Sequence, residues 1–184
     1  MTRYAAEAPT AEMLYPLSLF RERDGRPLPI VQVIEGAAMP PPYQALLVHQ
    51  GDMTSRLEAF HASPMKLKVL NVERTADAYR REVLLCARDS GLPVEYGAIE
   101  INLQAFEEPL RSEVVEGRLP LGGLLNRAKF KYRSEPRAYL RILPDLTLCR
   151  LFGLDVAAAF FGRSNILLGD DGTVLATIVE VLRP

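Results

Sequence analysis

Polar and apolar positions change period repeatedly along this chain, and each change marks an element. Lys66-Leu67-Lys68-Val69-Leu70-Asn71-Val72 alternates almost residue by residue, the mark of a half-buried strand. Residues 79–87 and 94–103 are more continuously apolar and flank Asp89-Ser90-Gly91, which predicts a hairpin. A further strand is expected over 130–142, and a second hairpin pairs 164–168 with 173–182 around Gly169-Asp170-Asp171-Gly172. Helical stretches fall between these strands. One covers 43–48 with prolines at its start, and the next follows Gly51-Asp52-Met53-Thr54, capped by Asp52 or Thr54, with Leu57 and Phe60 on one face. Residues 110–117, 120–128 and 143–153 read as three more. Hairpin strands with helices inserted between them predict an α+β fold, an antiparallel sheet with helices packed on one side.

Two charges break the pattern. The closing run from Val174 to Pro184 is β-branched and apolar on both faces except at Glu180. With Ile178 and Leu182 beside it on its own face, that carboxylate would be costly to bury unpaired. Near a chain end, such a residue is more often solvated or ion-paired than functional. The second break is in "YRREVLLC", residues 79–86. Period-two counting puts Arg81 with Val83 and Leu85, and Arg80 and Glu82 with Leu84, so charge enters the core whichever face points inward. Snorkelling explains Arg81 alone. It must then be invoked again for Glu180. One cavity receiving both is more economical: guanidinium takes a carboxylate in a planar fork, and the Glu carboxylate accepts a hydroxyl proton. Apolar walls with a few placed polar groups are what ligand pockets use.

Composition narrows the function. At 184 residues, 48% hydrophobic and 24% charged, the chain has the make-up of an ordinary globular domain with an extension. Residues 1–42 read as an N-terminal arm, with a turn at Asp24-Gly25, an apolar run over 29–34 and a stiff Pro40-Pro41-Pro42 linker; 43–184 form the domain. A net charge of −1 gives no footprint for nucleic acid. Apolar runs such as 156–161 fall far short of the ~20 residues of a membrane span. Glu7 and Glu12 interrupt any leader-like core, so a cytoplasmic location is expected. Cys86 and Cys149 are isolated, and His49 and His61 stand in no ligand pattern, so no metal is expected. Without a phosphate loop or dinucleotide fingerprint, no cofactor is expected either. Lys129, Lys131, Arg133, Arg137 and Arg141, interleaved with Phe130, Tyr132 and Tyr139, read as a solvated basic face or a cationic entrance for an anion.

Four pieces, in order, resemble bacterial chorismate pyruvate-lyase, the family that makes 4-hydroxybenzoate at the start of ubiquinone synthesis. They are "DMTSRLEAF" (52–60), "YRREVLLC" (79–86), "LPLGGLL" (119–125) and "TIVEVLRP" (177–184), and the likeness spans residues 43–184. The resemblance implies the chorismate lyase-like fold, shared with UTRA effector-binding domains, with an internal ligand cavity. By the same resemblance Met53, Arg81, Leu121 and Glu180 bind the ligand. Arg81 would hold the ring carboxylate and Glu180 the 4-hydroxyl, with Met53 and Leu121 contributing backbone groups and walls. Arg81 and Glu180 would be the catalytic pair. One departure stands out: where the family places Arg after the Gly of the second hairpin strand, Gly97 is followed by Ala98.

The reaction so implied converts chorismate to 4-hydroxybenzoate and pyruvate. Aromatisation drives it, so the protein is asked for orientation and placed charge rather than a cofactor or covalent nucleophile. The expected partner is a small aromatic or pre-aromatic carboxylate. Two alternatives use the same site: a non-catalytic protein that binds or senses a small aromatic acid, and a related lyase with a different precursor. Residues 1–42 show no helical period that would make a helix-turn-helix, so a complete DNA-binding regulator is not expected.

Overall fold

Strands that are apolar on both faces need cover on both faces, and this governs the architecture. The computed structural model describes residues 11–155 and 159–184. The first ten residues of the expected arm, and residues 156–158 of the apolar run noted above, lie outside the described residues. Among the described residues there are seven strands: β1 (Val31–Ile34), β2 (Met65–Arg74), β3 (Ala78–Ala87), β4 (Pro93–Asn102), β5 (Tyr132–Ile142), β6 (Phe160–Gly169) and β7 (Val174–Leu182). They form one antiparallel sheet in the order β1-β5-β6-β7-β4-β3-β2. The strand that ends the chain is therefore the central one. A position that looked like a fraying terminus is the middle of the sheet, and Glu180 is only 5% exposed.

The predicted helical layer is built from α2 (Tyr43–Leu47), α3 (Met53–His61), α4 (Leu110–Glu116) and α5 (Leu121–Arg127). Their Leu46, Leu57, Val114 and Leu124 pack in two clusters with Leu85, Ile101, Leu167 and Leu182 of the sheet. Asp52 is the N-cap of α3, its carboxylate accepting from the backbone N–H of Ser55 at 2.7 Å. The reverse face carries its own cover, α1 (Leu17–Arg23) and α6 (Leu146–Phe152), whose Leu17, Phe20, Leu148 and Phe152 pack with Leu84, Tyr96, Val179 and Val181. Residues 17–23 are helical, unlike the extended arm that the prolines suggest, and 31–34 join the sheet edge through pairing with β5.

Register decides which side chains share the helical face. Arg81 stands opposite Ile99, Val83 opposite Gly97 and Leu85 opposite Glu95. Across the next ladder Gly97 faces Glu180, and Glu180 faces Arg163. Both faces of β3 are consequently charged and buried. Arg81 enters the helical face, while Glu82 on the reverse face accepts from Tyr96, Arg26 and Asn71. Neither side chain is the solvated residue that an exposed strand would provide.

Candidate ligand-binding site

Between this face of the sheet and the starts of α3 and α5 lies a cavity with about 70 Å³ of room for the centres of water-sized molecules. By the measure that one water needs about 10–15 Å³, that holds a compact ring rather than a long chain. Its walls are largely apolar, with Val83, Leu85, Ile99, Leu167 and Ile178 from the strands. Met53, Arg81, Leu121 and Glu180, brought together from four separate segments, all line it.

Arg81 is the most unusual of them. Its side chain is buried, at 2% exposure, and no carboxylate pairs with it among the described residues. Nη2 donates to the carbonyl of Leu119 at 3.0 Å, while Nε and Nη1 meet no acceptor in good hydrogen-bond geometry among the described residues, the Tyr79 side chain being their polar neighbour. The Tyr79 ring lies 5.8 Å from the guanidinium carbon. Burial pulls the guanidinium below its ordinary pKa, opposed by Tyr79; arginine nonetheless stays charged in proteins. Holding an unpaired cation away from water costs several kcal/mol. A buried guanidinium with N–H donors left open beside a cavity can receive a carboxylate or similar oxyanion.

Glu180 meets a protein group first. Arg163, 1% exposed, donates from Nε to the Glu180 carboxylate at 2.5 Å. Its Nη1 donates to the backbone carbonyls of Leu47 at 3.0 Å and His49 at 3.2 Å. The arginine expected after Gly97 is absent, and Ala98 points to the reverse core; an arginine reaches this end of the cavity from β6 instead. Glu95, 5% exposed, also lines the cavity, with Oε2 unpaired. Burial and then the neighbouring Glu180 raise its pKa well above the ordinary value, and Arg163 only partly offsets them. Ser134 and Asn165 satisfy each other at 2.9 and 3.1 Å on the β5–β6 side.

The cavity therefore has two polar ends on an apolar floor. Arg81 and Glu180 lie two strands and one pleat repeat apart, a Cα separation of roughly 12 Å from ideal sheet spacings. Arg163 is paired with Glu180, Glu95 is held toward its neutral form, and the Asp52 carboxylate on the wall is taken up by Ser55 N–H and Asn126. Arg81 is left as the lining cation without a carboxylate beside it among the described residues.

Sequence reasoning missed Arg163 and Glu95. Both obey the period that found Arg81, since Arg163 shares a face with Asn165 and Leu167, and Glu95 with Gly97 and Ile99. The basic run over 127–141 contributes Tyr132 and Ser134, but no cation, to the cavity wall. Arg127 pairs with Glu113 and Arg133 with Glu135, on exposed surface.

This sheet order, with its helical layer over the cavity, is the chorismate lyase-like α+β fold. No family model and no curated protein sequence matches the chain. Solved structures do. PhnF from Mycobacterium smegmatis superposes with a TM-score of 0.57 over 74% of this chain and 65% of its own, at 15% identity. The effector domain of PhnF alone gives 0.54 over 72% of this chain and 88% of its own, also at 15%. The ligand-binding domain of a regulator assigned to the GntR family, from Bordetella bronchiseptica, gives 0.50 over 65% and 85%, at 11% identity. At such identities the likeness is one of fold. The chain spans about 65% of the length of the PhnF chain that includes more than the effector domain. Among the described residues no helix is long and apolar enough to cross a membrane.

Proposed function

We propose that this chain is a binding module for a small ring carboxylate, which it holds by Arg81 within the cavity and senses or sequesters without turnover. The observation that carries the reading is the buried Arg81 guanidinium, whose Nε and Nη1 meet no acceptor in good hydrogen-bond geometry among the described residues. A ligand carboxylate would supply an acceptor and the missing negative charge together. The opposite end, with Glu180 fixed by Arg163, offers an acceptor to a distal hydroxyl. The fold likeness to the effector domain of PhnF supports sensing over catalysis. Association with a DNA-binding partner or segment would follow from that likeness, and is part of the same proposal.

One observation favours a second reading, conversion of chorismate to 4-hydroxybenzoate and pyruvate. Met53, Arg81, Leu121 and Glu180 share one cavity, as the lyase resemblance requires. One experiment separates the two. Purified protein is incubated with chorismate while pyruvate is followed, and its melting temperature is recorded with 4-hydroxybenzoate and with chorismate. The binding reading predicts a raised melting temperature in wild type, none in Arg81→Met, and no pyruvate. Pyruvate released one-to-one with 4-hydroxybenzoate, and lost in Arg81→Met, would replace it by the lyase reading.

A further inference from the structure

Glu95 plays no part in the readings above, yet it is a buried carboxyl on the cavity wall. On β4 it shares a face with Gly97, and it stands diagonal to Glu180 across the β4–β7 ladder, where Leu182 is its direct opposite. Diagonal neighbours on one face lie roughly 7–8 Å apart at the Cα atoms, within reach of two glutamate side chains leaning together. Gly97, between them, leaves the space for this: a Cβ there would sit 3.3 Å from Glu95 Oε1. Arg163 is already committed to Glu180 and to two backbone carbonyls. Glu95 Oε2 is left with no hydrogen-bond partner among the described residues.

We infer that Glu95 is the hydrogen-bond donor of the cavity and, with Glu180 as the acceptor beside it, selects a ligand whose distal group is a hydroxyl. A hydroxyl is the one small group that donates and accepts through a single oxygen. It gives its proton to the Arg163-bound carboxylate of Glu180 and accepts from Glu95 Oε2–H, which satisfies the orphaned atom. An ammonium group only donates and a halide only accepts weakly, so each leaves a buried polar atom unpaired. Burial and the adjacent Glu180 carboxylate favour the protonated form of Glu95, with Arg163 opposing them. The inference rests on the reading that Arg81 binds a ring carboxylate, and it deepens that reading from "a ring acid" to "a hydroxy ring acid".

Calorimetric titration of benzoate and 4-hydroxybenzoate into wild type, Glu95→Gln and Glu95→Leu tests it. Wild type is expected to prefer the hydroxy acid. In Glu95→Leu the preference should fall about tenfold, as loss of one buried hydrogen bond implies, with benzoate affinity kept. Glu95→Gln retains an N–H donor and should keep the preference within about threefold. An undiminished preference in Glu95→Leu overturns the role of Glu95 and leaves the Arg81 reading standing. Failure of benzoate to bind wild type overturns the Arg81 reading itself. A measurement independent of any ligand and of any variant's folding is a 13C NMR titration of the side-chain carboxyls in wild type. Glu95 should titrate well above the ordinary glutamate position; titration at that ordinary position overturns the inference.

Discussion

Arg81 and Glu180 share a cavity but stand in opposite electrostatic positions, and substitutions at the two should behave differently. Arg81 has no ion partner to strand. Arg81→Met removes a desolvated charge and fills much the same volume, so the ligand-free protein should be as stable as wild type or more stable by about 1 kcal/mol or more. Chemical denaturation without ligand checks this. Glu180 neutralises Arg163, so Glu180→Ala leaves a buried cation uncompensated and should cost about 3–5 kcal/mol in the same measurement. Glu180→Gln keeps an acceptor for Arg163 Nε and should cost less. Both residues were legible in the sequence as charges entering a core: Glu180 stands alone in a long apolar run, and Arg81 shares its strand face with Val83 and Leu85. Arg163 and Glu95 were not. Arg163 is followed by Ser164 and Asn165, and Glu95 sits close behind the Ser90-Gly91 turn, so their neighbourhoods read as polar. Only the ladder shows that these polar residues are buried.

At the scale of elements, the β6–β7 ladder sets the relation of Arg163 to Glu180. Gly162 is required there by a close backbone approach: a Cβ on it would lie 2.3 Å from the Glu180 carbonyl oxygen. Gly162→Ala should force the central ladder apart at that point, costing about 1–3 kcal/mol or more, with weaker amide-exchange protection on β6 and β7. The hairpins and five of the six helices were readable from period, turn residues and caps. The exception is instructive. Residues 17–23 make only two turns and carry no amphipathic run long enough to reveal a helix. Their helicity comes from tertiary contacts: Leu17 and Phe20 enter the reverse core, and the fully buried Arg21 pairs with Asp145 at 3.2 Å. Asp145 is also the N-cap of α6, accepting from Leu148 N–H at 2.8 Å, so one carboxylate joins two helices distant in sequence. No local pattern encodes that pairing. β1 escaped notice likewise, being four residues whose strand character depends on β5.

For the whole molecule, the buried titratable groups fix how stability follows pH. His49 is pulled down from 6.5 to about 4 by burial, with Arg163 and Arg56 adding to it. Its contribution is complete above the unfolded value of 6.5 and is lost as pH falls through about 4. Glu95 runs the other way. Its folded value is raised well above 4.5, so its contribution is full below 4.5 and is lost as pH rises through the folded value. The two oppose each other between about 4.5 and 6.5. As pH rises through the raised Glu95 value, melting temperature should decline in wild type and decline less in Glu95→Gln. Because ionised Glu95 would add a negative charge to the cavity, affinity for a carboxylate should fall over the same range.

The central claim is that the unpaired Arg81 guanidinium is kept for a ligand carboxylate. Its most direct test is isothermal titration of 4-hydroxybenzoate into wild type and Arg81→Met at pH 7. The account predicts one site per chain in wild type and a loss of about 30-fold or more in Arg81→Met, the scale of a charge-assisted hydrogen-bonded contact. Equal affinity in the two proteins would contradict it.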